Sequence, residues 1–400
     1  MLEARSLATT LAIAALVALG PLSTDMYLPA LPTLARVFAA DSGQVQLTLS
    51  LFLAGFAIAQ LVYGPLSDRY GRKPVLMGGL GLFLISSIAC ALATHIETLI
   101  AFRFLQALGG SAGPVLGRAM VRDIHGPKEA GRVLSHIGSA MALGPAVAPI
   151  VGGYLLIWLG WASIFWFLVL FSLFAIWLLH FKIGESAPEE YRHPRSLQRI
   201  LSDFGLLLRD RHYLGYTLAC SFSFAGLFVF LSVSSFVIID YFGYPPERFG
   251  LWFLMVVAGY LSGTLGGGRL SRVLGHQRLV AIGSLICLAS GVIMALVGFD
   301  GPEHALQLML PMLGFMVGVG IVMPQAMAGA MADYPQIAGS ASGLMGFIQM
   351  TLAGGIGVIA GHLHDGTPFV MSAMIGLCGL LCFASAWGLT RGGKTMERTE

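Results

Sequence analysis

Charge is scarce in this chain of 400 residues: Asp, Glu, Lys and Arg make up 11% of it, against 56% hydrophobic residues and a mean hydropathy of +0.80. So little polar surface cannot cover a soluble globule of this length, and the chain reads as an integral membrane protein. Cysteine is scarce too. All five, Cys90, Cys220, Cys287, Cys378 and Cys382, fall in apolar runs, which argues for free thiols and against a disulfide framework. There is no Gly-x-x-x-x-Gly-Lys-[Ser/Thr] loop to couple ATP and no clustered nucleophile and base to suggest an enzyme. A repeated pore-lining signature, which a channel would carry, is also missing. The stretch HLHD, His362 to Asp365, has no second group of ligands near it, so neither a metal nor another cofactor is expected.

What the chain has in abundance is apolar blocks, twelve of them, each of roughly 20 residues and long enough to cross a ~30 Å hydrocarbon core as a helix. The expected spans are 7–37, 44–66, 74–94, 98–121, 133–158, 160–181, 213–240, 249–271, 278–298, 305–330, 337–361 and 366–390. The first block runs well past signal-peptide length without a clear small-x-small cleavage site, so it reads as a retained helix. The 23 Lys and Arg residues fall almost wholly on one side of this arrangement. Only Arg36 and Arg248 reach the other side, and Arg103 lies within a span. Positive charge marks the cytoplasmic side, which places both termini there and accounts for the net charge of +3 without a nucleic-acid partner.

The one long polar segment, Lys182 to His212, separates six spans from six, and its middle, SLQRILSDFGLLL, has the apolar spacing of a helix lying on the membrane surface. The two sides of this segment resemble each other. At an offset of 204 residues, Ala54, Gly55, Gly64, Leu66, Ser67 and Gly71 fall on Ala258, Gly259, Gly268, Leu270, Ser271 and Gly275. At an offset of 208, Ala130, Gly131 and Gly138 fall on Ala338, Gly339 and Gly346. The expectation is an all-α integral membrane fold of twelve transmembrane helices in two pseudo-symmetric six-helix bundles, with the substrate site between them near the midplane. Its parts are an amino-terminal bundle at 1–181, a linker at 182–212, a carboxy-terminal bundle at 213–390 and a tail at 391–400.

Asp25, in STDMYLPALP, is the one acid inside an expected span and away from a helix end. Pro21, Pro29 and Pro32 make this helix irregular. An ionised carboxylate in the membrane is costly and persists mainly where it faces a cavity and has a task. Two readings stand. Either Asp25 exchanges a proton in a cavity, with Arg103 nearby, or it ends the helix at the outer interface, about 27 Å from Leu7. Arg103 is likewise either part of a proton and substrate relay or a structural arginine that satisfies backbone carbonyls. Tyr27, Gln60 and Gln106 offer polar or aromatic contacts to a substrate or simply to neighbouring helices. His136, in the fifth span, reads as a satisfied interior histidine rather than a proton relay.

The most specific motif is GPLSDRYGRKP, Gly64 to Pro74. Gly64 and Gly71 permit close approach and a tight turn, and Asp68 sits among Arg69, Arg72 and Lys73 as a charge lock. This stretch resembles the Gly-x-Leu-x-Asp-Arg-x-Gly-Arg-Lys signature of the major facilitator superfamily at every defined position. RFLQALGGSAG, with Arg103 and Gln106, is similar to that superfamily's second motif. LGPAVAPIVGG is similar to the third, which marks antiporters, except that Ala148 stands where a glycine precedes Pro149, Gly152 and Gly153. A further Gly144–Pro145 pair lies four residues earlier. TDMYLPALP and VQLTLS resemble the bicyclomycin and chloramphenicol resistance (Bcr/CflA) subfamily.

The resemblance implies a proton-coupled exporter of drugs or other amphipathic compounds, working by alternating access as a monomer in the bacterial inner membrane. Its energy would come from the proton gradient. The alternative is export of a metabolite such as a sugar, amino acid or siderophore. On this resemblance Asp25 and Arg103 couple protons, and Asp25, Tyr27, Gln60 and Gln106 meet the substrate. Gating falls to Gly64, Asp68, Arg69, Gly71, Arg72, Lys73, Asp123, Gly144, Pro145, Pro149, Gly152 and Gly153. Arg72 and Asp123 are expected to partner Asp68, and Gly152 and Gly153 to pack against the opposite half on the outer side.

Overall fold

A computed structural model describes residues 7–121, 123–124, 144–186 and 197–388. His136, the repeat positions Ala130, Gly131 and Gly138, the tail at 391–400 and the basic residues Arg5, Arg122, Lys128, Arg132, Arg192 and Arg195 lie outside the described residues. Among those described there is no strand. They include 11 helices long and apolar enough to cross a membrane, and a shorter apolar one, Ala146–Leu159, stands where the fifth span is expected. The chain is therefore a multi-pass, all-helical membrane protein.

The first span, Leu11–Val37, is continuous as a crossing but not as a helix. It is an α-helix over Leu7–Asp25, a 3₁₀ turn over Leu28–Ala30 and a second α-helix over Leu31–Val37. Pro29 has no N–H for the carbonyl of Asp25 four residues back, and Pro32 has none for Leu28, so the ladder breaks here. The second helix, Ser42–Tyr70, starts on a capping box in which Gln44 N–H donates to Asp41 Oδ1 at 2.8 Å and Asp41 N–H donates to Gln44 Oε1 at 3.1 Å. Its two ends, called here the Asp41 face and the Tyr70 face, define the two sides of the first unit.

Two turns bear out the internal repeat. Gly71, between the second helix and the third, Arg72–Ala91, has φ 94° and ψ 157°. Gly275 has φ 72° and ψ 166° and breaks the long helical run Pro246–Asp300 into the eighth and ninth spans. Both conformations belong essentially to glycine. The repeat also pairs Gly55 with Gly259. A Cβ at Gly55 would meet the Phe104 carbonyl oxygen at 2.7 Å, and one at Gly259 would meet the Leu313 carbonyl oxygen at 2.5 Å. In each half, then, the glycine lets one helix lie directly on another's backbone.

The residues cluster into two compact units. The first comprises Met1–Arg195, Leu231–Leu254 and Gly357–Gly366; the second comprises Ser196–Phe230, Met255–Ile356 and Thr367–Glu400. Ends of the seventh helix, Arg211–Ser235, of the eighth, which starts at Pro246, and of the eleventh, Ala338–Leu363, thus belong with the first unit. In the second unit the linker helix, Leu197–Leu207, buries Leu207 beside Tyr213 and Ala341, and its Asp203 accepts a hydrogen bond from Ser340 Oγ at 3.0 Å. Leu201 and Leu206 remain exposed, as expected of an amphipathic helix. Asp210 caps the seventh helix, Arg211–Ser235, and also accepts from the Tyr334 hydroxyl at 2.9 Å. Burial and the adjacent Asp210 push that phenol up to about 12.

Because Gly71 and Gly275 share a conformation that other residues avoid, each change to Ala should cost about 1–3 kcal/mol. Gly71→Ala should be the worse, since its Cβ would also meet the Glu185 carboxylate at 2.5 Å. Thermal unfolding of the purified variants in detergent checks both the loss and its order.

Candidate functional site

The break in the first helix creates the site. In an uninterrupted helix the Ser23 carbonyl would receive the N–H of Tyr27, but that N–H bends back to Thr24 O at 3.2 Å. The freed carbonyl lies in an apolar interior, and Arg103 of the fourth helix, Ile96–Gly110, donates to it through Nη1 at 3.1 Å. The same nitrogen donates to Gln106 Oε1 at 2.6 Å, and Gln106 Nε2 donates to Ser87 Oγ on the third helix at 2.7 Å. Arg103 is wholly buried, with its guanidinium 4.6 Å from the Tyr27 ring centroid and 4.3 Å from that of Phe52. Those ring faces attract the desolvated cation. Tyr27 is also fully buried, and its hydroxyl donates to Thr48 Oγ1 of the second helix at 2.9 Å.

Arg103 therefore does what the structural reading assigned to it: it satisfies a backbone carbonyl. No hydrogen bond or ion pair joins it to Asp25. Tyr27 and Gln106 are spent on protein partners in this state, while Gln60 is half-buried further along the second helix. Asp25 stands apart. It is 7% exposed, and its carboxylate has no hydrogen-bond or ion-pair partner among the described residues. The candidate span Leu11–Val37 continues beyond it for twelve residues.

At the Tyr70 face the loop motif forms a charged knot. Arg72 donates from Nη1 to Asp68 Oδ1 at 2.5 Å and to Ser67 Oγ at 2.5 Å, and from Nε to Asp123 Oδ2 at 3.1 Å. Arg72 is thus the common cation of the two carboxylates. Glu185 accepts from the backbone N–H of Arg72 at 3.0 Å and of Lys73 at 3.1 Å, an anion at a helix N-terminus. Lys73 Nζ answers it at the end of the sixth helix, Ala162–Lys182, donating to the carbonyls of His180 and Ile183 at 3.0 and 2.7 Å. Arg69 lies over the Tyr70 ring at 5.1 Å. A Cβ at Gly64 or Gly144 would meet nothing within 4 Å, so close packing does not require glycine at either position.

The glycines of the fifth helix, Gly144–Leu159, divide their contacts. A Cβ at Gly153 would meet the Pro246 carbonyl oxygen at 2.9 Å, on a segment of the opposite half, as expected. Gly152 departs from the expectation. It lies against the Met26 carbonyl of its own half, because adjacent helical positions point about 100° apart. The helix break at Met26 and the fifth helix therefore fit each other.

Sequence reasoning passed over residues at the Asp41 face. Gln46 Nε2 donates to the Ser232 carbonyl of the seventh helix, and its stem lies against Gly361 of the eleventh, Ala338–Leu363. Ser42 Oγ donates to the Gly361 carbonyl at 3.3 Å, and Gly250 lies against Ile150. A glutamine early in a helix carries no local signal for such a role. Its partner lies 186 residues away.

The family described as Major Facilitator Superfamily matches residues 13–358. An uncharacterized MFS-type transporter of Bacillus subtilis is 33% identical over 388 residues, 96% of this chain and 96% of its own length. A protein of Haemophilus influenzae named a bicyclomycin resistance protein homolog is 31% identical over 376 residues, 93% of each chain. Among solved structures, a D-xylose-proton symporter superposes with a TM-score of 0.75 at 17% identity, covering 98% of this chain and 100% of its own. That likeness concerns the fold alone.

Arg103→Leu should leave the Ser23 carbonyl and the Gln106 amide oxygen without their donor, at a cost of about 1–3 kcal/mol each. A clear fall in melting temperature is the expected outcome. Arg103→Lys should recover part of it, since a single ammonium supplies one donor but not the planar face against the rings.

Proposed function

The chain belongs to the Major Facilitator Superfamily, and from that premise we propose that it is a proton-coupled multidrug exporter of the bacterial inner membrane, with both termini and the Tyr70 face cytoplasmic. Substrates of the chloramphenicol or bicyclomycin type leave by alternating access while protons enter, and no cofactor takes part. The reading is supported by the relative named for bicyclomycin resistance and by the basic residues, which gather on the Tyr70 side of the sequence.

The observation that carries the proton coupling is Asp25: a carboxylate within a candidate span, almost buried, beside a helix break and with no cation paired to it. Protonation from the acidic outer side removes the charge whose desolvation is costly, and drug leaves; loss of the proton to the cytoplasm restores a charge that a polar or cationic drug can meet. One group then serves both flows by exclusion. The knot at Asp68, Arg72 and Asp123 holds the cytoplasmic ends of the first-half helices in order while the cavity changes sides.

Asp25→Asn fixes the neutral form and should abolish pH-driven export, with drug-induced proton release from purified protein lost. Release equal to the parent's would assign the proton to another residue. Proton release by sugars, amino acids or siderophores, and none by chloramphenicol, would favour metabolite export. Asp68→Asn should fold normally yet transport more slowly, with altered thiol accessibility from each side of the membrane. Unchanged accessibility would remove Asp68 from gating.

A further inference from the structure

Four buried polar atoms near the Asp41 face, on two helices that touch, have no protein hydrogen-bond partner. Gln46 and Ser50 lie one turn apart on one side of the second helix and are 1% and 3% exposed. Ser232 and Ser235 lie three residues apart on the seventh helix and are fully buried. Gln46 Nε2 reaches the Ser232 backbone, so the two helix faces meet. Yet Gln46 Oε1 and the hydroxyls of Ser50, Ser232 and Ser235 all lack a protein partner. Ser234 shares that condition on a different face of its helix. A buried hydroxyl without a bond costs free energy, and serines inside helices ordinarily escape that cost by bonding to their own backbone, as Ser221 and Ser223 do lower on the same helix. Three unbonded serines in one short stretch are therefore not ordinary core residues.

The segment that follows, Phe236–Tyr241, is a π-helix, a geometry that interrupts the regular ladder and recurs at functional sites. By helical rise the seam lies about 6–13 Å in from the ends of its helices, where no bulk water reaches while the helices are in contact.

We propose that Gln46, Ser50, Ser232 and Ser235 form a hydrogen-bonding wall of the transport path, unsatisfied when the Asp41 face is closed and wetted when it opens, and that this wall engages uncharged substrates bearing hydroxyl or amide groups. The wall contains donors and acceptors but no ionisable group, so it recognises hydrogen bonds and not charge. It rests on the exporter reading for its substrate. Its opening does not depend on that reading.

Three measurements on the full-length protein test it. Ser235→Cys, labelled by a membrane-impermeant maleimide from the outer side of oriented vesicles, should react, whereas the parent, whose five cysteines are all buried, should not. No reaction overturns the opening. Ser232→Ala with Ser235→Ala removes two unbonded hydroxyls from the closed seam, so the apparent melting temperature should rise by about 2 °C; a fall shows that the hydroxyls stabilise the closed form and overturns the proposal. In the same variant the ratio of chloramphenicol transport to that of tetraphenylphosphonium, a cation without hydrogen-bonding groups, should drop roughly fivefold. An unchanged ratio overturns the wall's part in recognition. If the parent moves neither probe, the drug-export reading fails, and labelling and melting alone decide whether the seam opens.

Discussion

Everything in the first bundle turns on one carbonyl oxygen, that of Ser23, stranded in an apolar interior by the proline-broken helix around it. In the hydrocarbon there is no water to satisfy it, and leaving it unpaired costs several kcal/mol on hydrocarbon reference scales. Arg103 meets that need, but burying a guanidinium itself costs several kcal/mol, more than one hydrogen bond returns. That cost is offset in part by what surrounds it: the second bond to Gln106, worth ~1.5–3 kcal/mol as a charge-assisted contact, and the faces of Tyr27 and Phe52, each worth up to ~2 kcal/mol when desolvated. Those partners in turn fix Thr48 and Ser87, so the first four helices are tied through one cation. Arg103 is thus held through Nη1 and its ring neighbours, while its Nε and Nη2 have no protein partner.

A transporter has a second constraint, since its helices must pack tightly and still come apart. At the Asp41 face the contacts are of a kind that allows both. Gly153 on the Pro246 and Glu247 backbone, Gly250 on Ile150 and Gly361 on Gln46 bring chains close through small residues, without large interlocking side chains. Such contacts gain dispersion energy over short lengths and lose little side-chain entropy on closing. The hydrogen bond from the buried Gln46 side chain goes to a backbone carbonyl.

Much of this was legible in the sequence, for reasons that are local. Apolar length marks a membrane crossing, the repeat at an offset of 204 foretells that Gly71 and Gly275 occupy like turns, and Asp68, Arg72 and Asp123 are where the motif suggests a charge knot. The count from Leu7 to Asp25 treats the helix as ending at its break, whereas the chain continues through a 3₁₀ turn to Val37. Other features were not legible because they join distant residues of unremarkable type. Nothing in the pattern pairs Arg103 with the Ser23 backbone rather than with Asp25, separates the neighbours of Gly152 from those of Gly153, or selects Gln46 from the other polar residues of its helix.

The same duplication shows where the halves have diverged. Around Gly275 the backbone turn survives, and so does the serine that closes the helix before it: Ser271 Oγ donates to Gly268 O at 2.8 Å as Ser67 Oγ donates to Gly64 O at 2.9 Å. The counterpart of Arg72 makes a long-range contact of another kind, without two opposite charges. His276 Nδ1 lies 2.8 Å from Gln325 Oε1, across 49 residues, where Arg72 and Asp123 form an ion pair across 51. Position 272, the counterpart of Asp68, is an arginine. Two carboxylates on one guanidinium resist separation far more than an imidazole on an amide, which trades readily for water. Geometry is kept in both halves because a membrane helix turn has few solutions, while the charges of the first-half turn are not.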